Sequence, residues 1–359
     1  MDTNQAPVAL DSHSNFDDRV SELVRWHFDP RTGSPFWLQR AASLPFDPLT
    51  EIRTTSDLLM FPDVSDDLRT VPVQDLIPQG VQHNDFCVYE SGGTSGPPKR
   101  IVNGAFRIRM LSWAMLRLME QGVAIPAHWL HLGPSGPHVF GYDCASYARL
   151  GNGTFYTVDF DPRWVKKLIA AGQSDVVERY ITHLLDQLLE ILTSQPIRVM
   201  STTPPLIEAI CARPELHALV QKKVATIVWA GTSFSPESLR QVKEYYFPDT
   251  NIIGIYGNTL MGVAPQRPAQ PEDPSPCVFE PFPEAIRVEL INEDGSTVGY
   301  GERGRVRVHL VTEEMFLPNV VERDTAVRVA PTHAGAVDGL AEVRTFKTLG
   351  EVQLVEGVY

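Results

Sequence analysis

Hydrophobic residues recur at helical spacing along several stretches of the chain. Over residues 175–192 the apolar positions Val177, Ile181, Leu184, Leu185, Leu188 and Leu192 fall on one face, and Pro196 follows. That pattern predicts a long amphipathic helix whose leucine face packs into a core. Residues 105–121 carry Ile108, Leu111, Met115, Leu118 and Met119 at the same period and are closed by Gly122. Further helical segments fall near 206–212 and 237–246, the second introduced by the capping sequence Ser235-Pro236-Glu237. Short apolar runs at 129–132, 198–201, 226–230 and 252–256 read as buried strands. A strand–helix alternation of roughly 25 residues predicts parallel pairing in a layered α/β domain.

Both ends of this region differ from it. Residues 1–85 are irregular and proline-rich, with an apolar pattern at 20–28, a turn and helix start at 33–40, and a cap and helix start at 54–58. From Ile286 the period changes to two. Residues 286–291 alternate, Asn292-Glu293-Asp294-Gly295 is a turn signal, and 305–311 alternate again, which predicts an antiparallel β section. The expected organisation is an α/β core over 1–285 and a β-rich subdomain over 286–359. No internal repeat or low-complexity segment is visible.

Composition narrows the class. With 43% hydrophobic residues in 359, the chain has ample material for a core. Its mean hydropathy of −0.12 is that of a soluble globular protein, and no apolar run approaches a membrane span. The N-terminus is polar and acidic, without the basic and apolar regions of a signal peptide. Cys87, Cys144, Cys211 and Cys277 are widely spaced, so neither a disulfide framework nor a zinc site is expected. A cytoplasmic location follows. His128 and His131 sit three apart, but no further ligands join them, and no metal-binding residue is assigned. A net charge of −13 argues against a nucleic-acid partner, whose binding needs clustered Lys and Arg. An anionic nucleotide would need a locally positive site, and Lys99 with Arg100 supplies one.

Those two residues close the most informative segment, Tyr89-Glu-Ser-Gly-Gly-Thr-Ser-Gly-Pro-Pro-Lys-Arg100. Gly92, Gly93 and Gly96 permit tight turns and close approach to a ligand. Ser91, Thr94 and Ser95 add hydroxyl donors, and Lys99 adds charge. Such a loop suits a polyphosphate. It does not match the Walker A pattern, because two prolines precede the lysine and arginine follows it. An ordinary mobile surface turn has the same composition.

Four other segments carry candidate chemistry. Ile252-Ile-Gly-Ile-Tyr-Gly-Asn-Thr-Leu-Met261 is a strand that ends in Tyr256, Gly257, Asn258 and Thr259, where α/β sheets bind ligands. A core tyrosine before a turn would read the same way. Val228-Trp-Ala-Gly-Thr-Ser-Phe-Ser235 is a strand leaving into Ala230, Gly231 and Thr232. Val321-Glu-Arg-Asp-Thr-Ala-Val-Arg328 contains Asp324, which reads either as a functional carboxylate or as a surface residue in a charged strand. Gly133-Pro-Ser-Gly-Pro-His-Val-Phe-Gly141 mixes turn formers with His138, Val139, Phe140 and Gly141. No nucleophile elbow occurs, and Cys144 has no recognisable catalytic partner.

The loop resembles the phosphate loop of the acyl-adenylating superfamily, S-[ST]-G-[ST]-[ST]-G-x-P-K. Gly92 replaces one hydroxyl residue, and every other patterned position from Ser91 to Lys99 is met. The Tyr-Gly-Asn-Thr segment is similar to the family's Y-G-x-T-E, and the N-terminal section resembles that of the phenylacetate-CoA ligase branch. What the resemblance implies is ATP with Mg²⁺, and attack of a carboxylate on the α-phosphorus to give acyl-AMP and pyrophosphate. In that scheme residues 91–96 and Lys99 cradle phosphates, and Ala230, Gly231 and Thr232 line the adenine pocket. Tyr256 would stack on the purine with Gly257 and Asn258 beside it, while Thr259 would donate to the α-phosphate. Asp324 would bind the ribose hydroxyls, whose two donors suit a carboxylate. Residues His138, Val139, Phe140 and Gly141 would border the acyl pocket, and Lys99, Thr259 and His138 would be the catalytic residues.

The implied substrate is an aromatic carboxylate, phenazine-type acids included, in antibiotic or secondary metabolism. The acyl group would pass to an amine such as an amino acid, or to a thiol; a homodimer is compatible with this reading. An aryl-CoA ligase with a separate lid and a non-catalytic nucleotide- or acyl-binding relative are the alternatives. Two departures bear on these. The family's magnesium-binding glutamate is Leu260 here, and leucine cannot coordinate a metal. Magnesium would then rest on phosphates, water and another carboxylate, or activity would be impaired. Relatives continue for roughly a hundred residues as a mobile lid. This sequence stops at Tyr359, about where the linker to the lid would lie, so the lid is expected to be absent.

Overall fold

The computed structural model describes residues 16–83, 85–92, 96–333 and 336–345. Its strands are β1 (Cys87–Glu90), β2 (Arg100–Asn103), β3 (Trp129–Gly133), β4 (Phe155–Asp159), β5 (Val199–Thr202), β6 (Thr226–Trp229), β7 (Asn251–Asn258), β8 (Gly262–Pro265), β9 (Val278–Phe279), β10 (Ile286–Ile291), β11 (Arg303–Val311), β12 (Phe316–Val329) and β13 (Gly339–Thr345). The central sheet has the order β4-β3-β5-β6-β7-β8, parallel except for the β7–β8 hairpin. Every residue of β3, β5 and β6 is buried, as expected where helices cover both faces of a parallel sheet. The order reverses at β3: β4 lies on one side and β5 on the other, so a crevice forms at the carboxyl ends of these strands.

The long helix runs Ser174–Ser194 and buries Leu184, Leu185, Leu188 and Leu192. The helix Ala105–Glu120 ends at the predicted glycine, and β10 pairs antiparallel with β11 as the alternation requires. One helix departs from its prediction. Pro236–Gln241 is α-helical, but Val242–Tyr246 widens into a π-turn.

The five-stranded antiparallel sheet has the order β10-β11-β12-β13-β9. The N-terminal section packs on it through an aromatic cluster. Phe316 of β12 lies 5.2 Å from the rings of both Trp37 and Phe61, and 6.0 Å from Phe28. Trp37 Nε1 donates to the Phe316 carbonyl at 2.9 Å, and Asn319 Nδ2 donates to the Phe61 carbonyl at 2.8 Å. The irregular section therefore braces the strand that carries Asp324.

Pairing of β12 with β11 is interrupted at that point. Arg305 pairs with Thr325 and Arg307 with Val321, so two steps on β11 face four on β12. The bulge puts residues 322–324 out of the ladder. Its backbone groups find side-chain partners: Arg305 Nε donates to the Glu322 carbonyl at 2.7 Å, and the Val321 N–H donates to Asp63 Oδ2 at 3.1 Å. No helix among the described residues is long and apolar enough to cross a membrane.

Candidate active site

A cavity of about 530 Å³ opens at the carboxyl edge of the central sheet. Its walls are the segments after β3, β5, β6 and β7, the end of the 91–99 loop, and the β12 bulge. Ser91, Gly92, Lys99, His138, Val139, Phe140, Ala230, Gly231, Thr232, Tyr256, Gly257, Asn258, Thr259 and Asp324 all line it. Gly93, Thr94 and Ser95 lie outside the described residues. Gly96 and Gly141 are not among the lining residues. Gly96 adopts φ +131 beside Arg69, and a Cβ on Gly141 would fall 2.6 Å from Ser135 Cβ, so this glycine lets the helix Val139–Leu150 pack on its preceding loop.

The loop from Ser91 to Lys99 is closed at its neck. The Ser91 N–H donates to the Lys99 carbonyl at 2.9 Å, and the Lys99 N–H donates to Ser91 Oγ at 2.9 Å. Lys99 Nζ donates to Ser65 Oγ at 2.7 Å, which holds the ammonium against the N-terminal section. Arg163 follows the N-cap Asp161; it reaches Glu90 Oε2 at 2.8 Å and the Ser91 carbonyl at 3.0 Å. Burial works against the Glu90 carboxylate, but Arg163 and Arg100 outweigh it and lower its pKa. Arg69 donates to the Pro97 carbonyl and also lines the cavity. Lys166 is pushed down to about 8 by burial and by the charges of Arg323 and Arg163. These cations gather beside the neck of the loop, where they offset Glu90 in an otherwise acidic protein.

Tyr256 and Asp324 meet across the two sheets. The phenol donates to Asp324 Oδ2 at 2.9 Å. Burial raises the Asp324 pKa, while the bond from Tyr256 pulls it back. The Tyr256 phenol lies well above its ordinary value, through burial first and then the charges of Asp324 and Glu322, so it remains a donor. Gly257 has a structural requirement, because a Cβ there would fall 2.5 Å from the Gly262 carbonyl across the β7–β8 hairpin. Asn258 Oδ1 accepts from the N–H groups of Leu260 and Met261 at 2.9 and 2.6 Å, fixing the turn that displays Thr259. Gly231 takes φ +82 where the chain leaves β6.

Beside Tyr256 the cavity wall is aromatic, since the Phe279 ring lies 6.1 Å from the Tyr256 ring. Trp229 meets Phe234 edge-on at 5.2 Å and Phe279 at 6.0 Å, and all three line the cavity. Gly254 makes room for this wall: a Cβ there would fall 2.7 Å from the Trp229 ring. His138 sits at the N-cap of Val139–Leu150; burial first, and then Arg163, lowers its pKa, which favours neutral imidazole. His131, by contrast, is a buried structural residue. Its Nε2 donates to the Pro134 carbonyl at 3.2 Å, its Nδ1 accepts from Ser201 Oγ at 3.0 Å, and Phe140 meets its ring at 4.7 Å.

Several lining residues escaped the sequence reading. Arg107 and Asp143 form a buried bidentate pair, with Nε–Oδ1 at 2.9 Å and Nη2–Oδ2 at 2.6 Å. Burial alone would disfavour the guanidinium, but the Asp143 carboxylate raises the Arg107 pKa and keeps it charged. A charged residue on the buried stripe of each helix was the available signal. Glu322 lies in the bulge, and its carboxyl is pushed up to about 7 by burial and by Asp324, with Lys99 pulling the other way. Tyr147, Trp229, Thr232 and Asn258 also line the cavity, and Tyr147 Oη, Trp229 Nε1, Thr232 Oγ1 and Asn258 Nδ2 are buried without a hydrogen-bond partner among the described residues. Unsatisfied polar groups of this kind around an apolar cavity point to a ligand that carries complementary groups.

The architecture, with its α/β core, antiparallel sheet and sheet-edge cavity, is a fold also found among solved CoA-ligase structures. Among solved structures the chain is similar to 2-hydroxyisobutyryl-CoA ligase in the postadenylation state with R3-HIB-AMP, at 12% identity and a TM-score of 0.68, covering 96% of this chain and 73% of that one. The same ligase with 2-HIB-AMP and CoA in the thioesterification state gives 12% identity and a TM-score of 0.66, covering 92% and 67%. No protein-family model matches the sequence, and no curated protein matches it. At this identity the likeness establishes the fold.

Proposed function

We propose that the protein adenylates an aromatic carboxylic acid with ATP. The observation that carries this reading is the convergence of the closed Ser91–Lys99 loop and the Tyr256–Asp324 pair on one cavity with an aromatic wall. The structural neighbours, described with acyl-AMP bound, support it. Asp324 and Tyr256 would hold the ribose and base. Lys99, Ser91 and the loop N–H groups would take the phosphates, and Trp229, Phe234 and Phe140 would enclose the acyl group.

In the reaction a carboxylate oxygen forms a bond to the α-phosphorus as the bond to pyrophosphate breaks, giving acyl-AMP and pyrophosphate. The protein's contribution is to bring two anions together and stabilise the developing charge with fixed donors. Thr259, displayed by the Asn258 turn, would donate to the α-phosphate. Neutral His138 would orient the carboxylate without protonating it. Magnesium, when bound, neutralises phosphate charge. The aromatic wall favours an aryl acid, phenazine-type acids included, and the braced N-terminal section favours the phenylacetate-CoA ligase-like branch. The acceptor in this reading is an amine such as an amino acid.

The test is acid-dependent exchange of pyrophosphate into ATP across a panel of aryl and phenazine acids. No exchange with any acid, alongside calorimetric binding of ATP, would refute adenylation. Likeness to a ligase described with CoA supports a second reading, and CoA-dependent thioester formation after exchange would favour it.

A further inference from the structure

We infer that Glu322 is the protein's ligand for the divalent cation that accompanies the nucleotide, in the role that Leu260 cannot fill. The inference rests on the adenylation reading above. Leu260 lines the cavity and is 6% exposed, so its isobutyl group meets the ligand space with no donor atom. Glu322 faces the same space from the β12 bulge.

Three observations select Glu322. Its Oε1 is shut off from solvent and accepts no hydrogen bond from the described residues, which is costly for a carboxylate unless a ligand supplies the partner. Its near neighbour Asp324 already accepts from Tyr256, whereas Glu322 Oε1 has no such partner among the described residues. Glu322 also lies within electrostatic reach of Lys99, at the neck of the phosphate loop, and of Asp324 and Asp63. Glu322, Lys99 and Asp324 line one cavity, so the carboxylate shares the space assigned to phosphate and ribose.

Charge makes the same point. A polyphosphate placed against Lys99 would meet the Glu322 carboxylate as a like charge, and in a partly desolvated site that repulsion is strong. A hard divalent cation between them turns repulsion into attraction. Mg²⁺ suits the position, since it keeps several waters and takes one or two carboxylates together with substrate phosphates. The bulge is pinned through its own backbone by Arg305 and Asp63, so the Glu322 side chain is not needed to hold the strand.

The experiment uses the full chain and Mn²⁺ as probe, read by electron paramagnetic resonance with a non-hydrolysable ATP analogue. ATP binding is measured by calorimetry in Mg²⁺ and in EDTA. Glu322→Gln should weaken Mn²⁺ binding in the ternary complex by about tenfold or more, while ATP binding in EDTA is kept or improved. Adding Leu260→Glu to that variant should restore Mn²⁺ affinity. Glu322→Asp, which withdraws the carboxylate by one methylene, should also weaken Mn²⁺ binding and serves if the glutamine variant does not fold. Wild-type Mn²⁺ affinity in the Gln or Asp variant, with ATP still bound, would overturn this assignment alone. Absence of ATP binding by the wild-type protein would overturn the adenylation reading and this inference with it.

Discussion

Replacing His131 by glutamine removes a buried imidazole that the fold holds neutral, and the consequence can be worked out from its surroundings. Burial lowers its pKa from 6.5 to about 4; the Pro134 carbonyl, the Asp159 charge and Ser201 oppose this without overcoming it. A histidine with a depressed folded pKa leaves the unfolded chain binding more protons. Its stabilisation is fully present above pH 6.5 and is lost as pH falls toward 4. A shift of that size corresponds to about 3 kcal/mol, acquired at about 1.4 kcal/mol per pH unit. Urea unfolding between pH 7.5 and 4.5 should give a shallower pH dependence in His131→Gln by about that slope. His27, also lowered to about 4 by burial, would continue to contribute the same amount in the variant. Imidazole nitrogen NMR would add a direct check, with His131 as the Nε2–H tautomer and not titrating above pH 5. Equal slopes in the two proteins, or titration near 6.5, would refute the reasoning.

Two further outcomes follow from the site. Arg107→Met should destabilise the fold by about 3–5 kcal/mol, because it strands the Asp143 carboxylate among buried groups; Arg107→Met combined with Asp143→Leu should recover much of that loss in chemical denaturation. Gly257→Ala should open the β7–β8 hairpin, where a Cβ would lie 2.5 Å from the Gly262 carbonyl, and so reduce ATP binding measured by calorimetry along with thermal stability.

Most of the core was legible because its rules are local. Leu184, Leu185, Leu188 and Leu192 announce a buried helix face by spacing alone, and the mainly apolar β3 and β6 announce strands covered on both sides. The lining of the cavity by Lys99, Tyr256 and Asn258 was legible for a related reason: strand ends and glycine loops have a fixed place in an α/β sheet. Arg107 and Asp143 were not legible, because their meaning depends on a contact between two helices. Val242–Tyr246 reads as ordinary helix, and nothing in its composition marks the π-turn. For Gly141 and Gly257 the sequence suggested approach to a ligand, whereas backbone packing already requires both.

The least legible stretch is also the one where the site is most unusual. Residues 321–328 read as a charged strand, yet four steps of β12 oppose two of β11 there. A regular ladder would give adjacent residues alternate faces, whereas the bulge brings Glu322, Arg323 and Asp324 all to the cavity lining. That arrangement is tolerable only because partners distant in sequence, Arg305 and Asp63, satisfy the displaced backbone. No local rule encodes such a dependency. It is specified by the N-terminal section packing on β12, so a segment that reads as irregular packing determines where the carboxylates of the site stand.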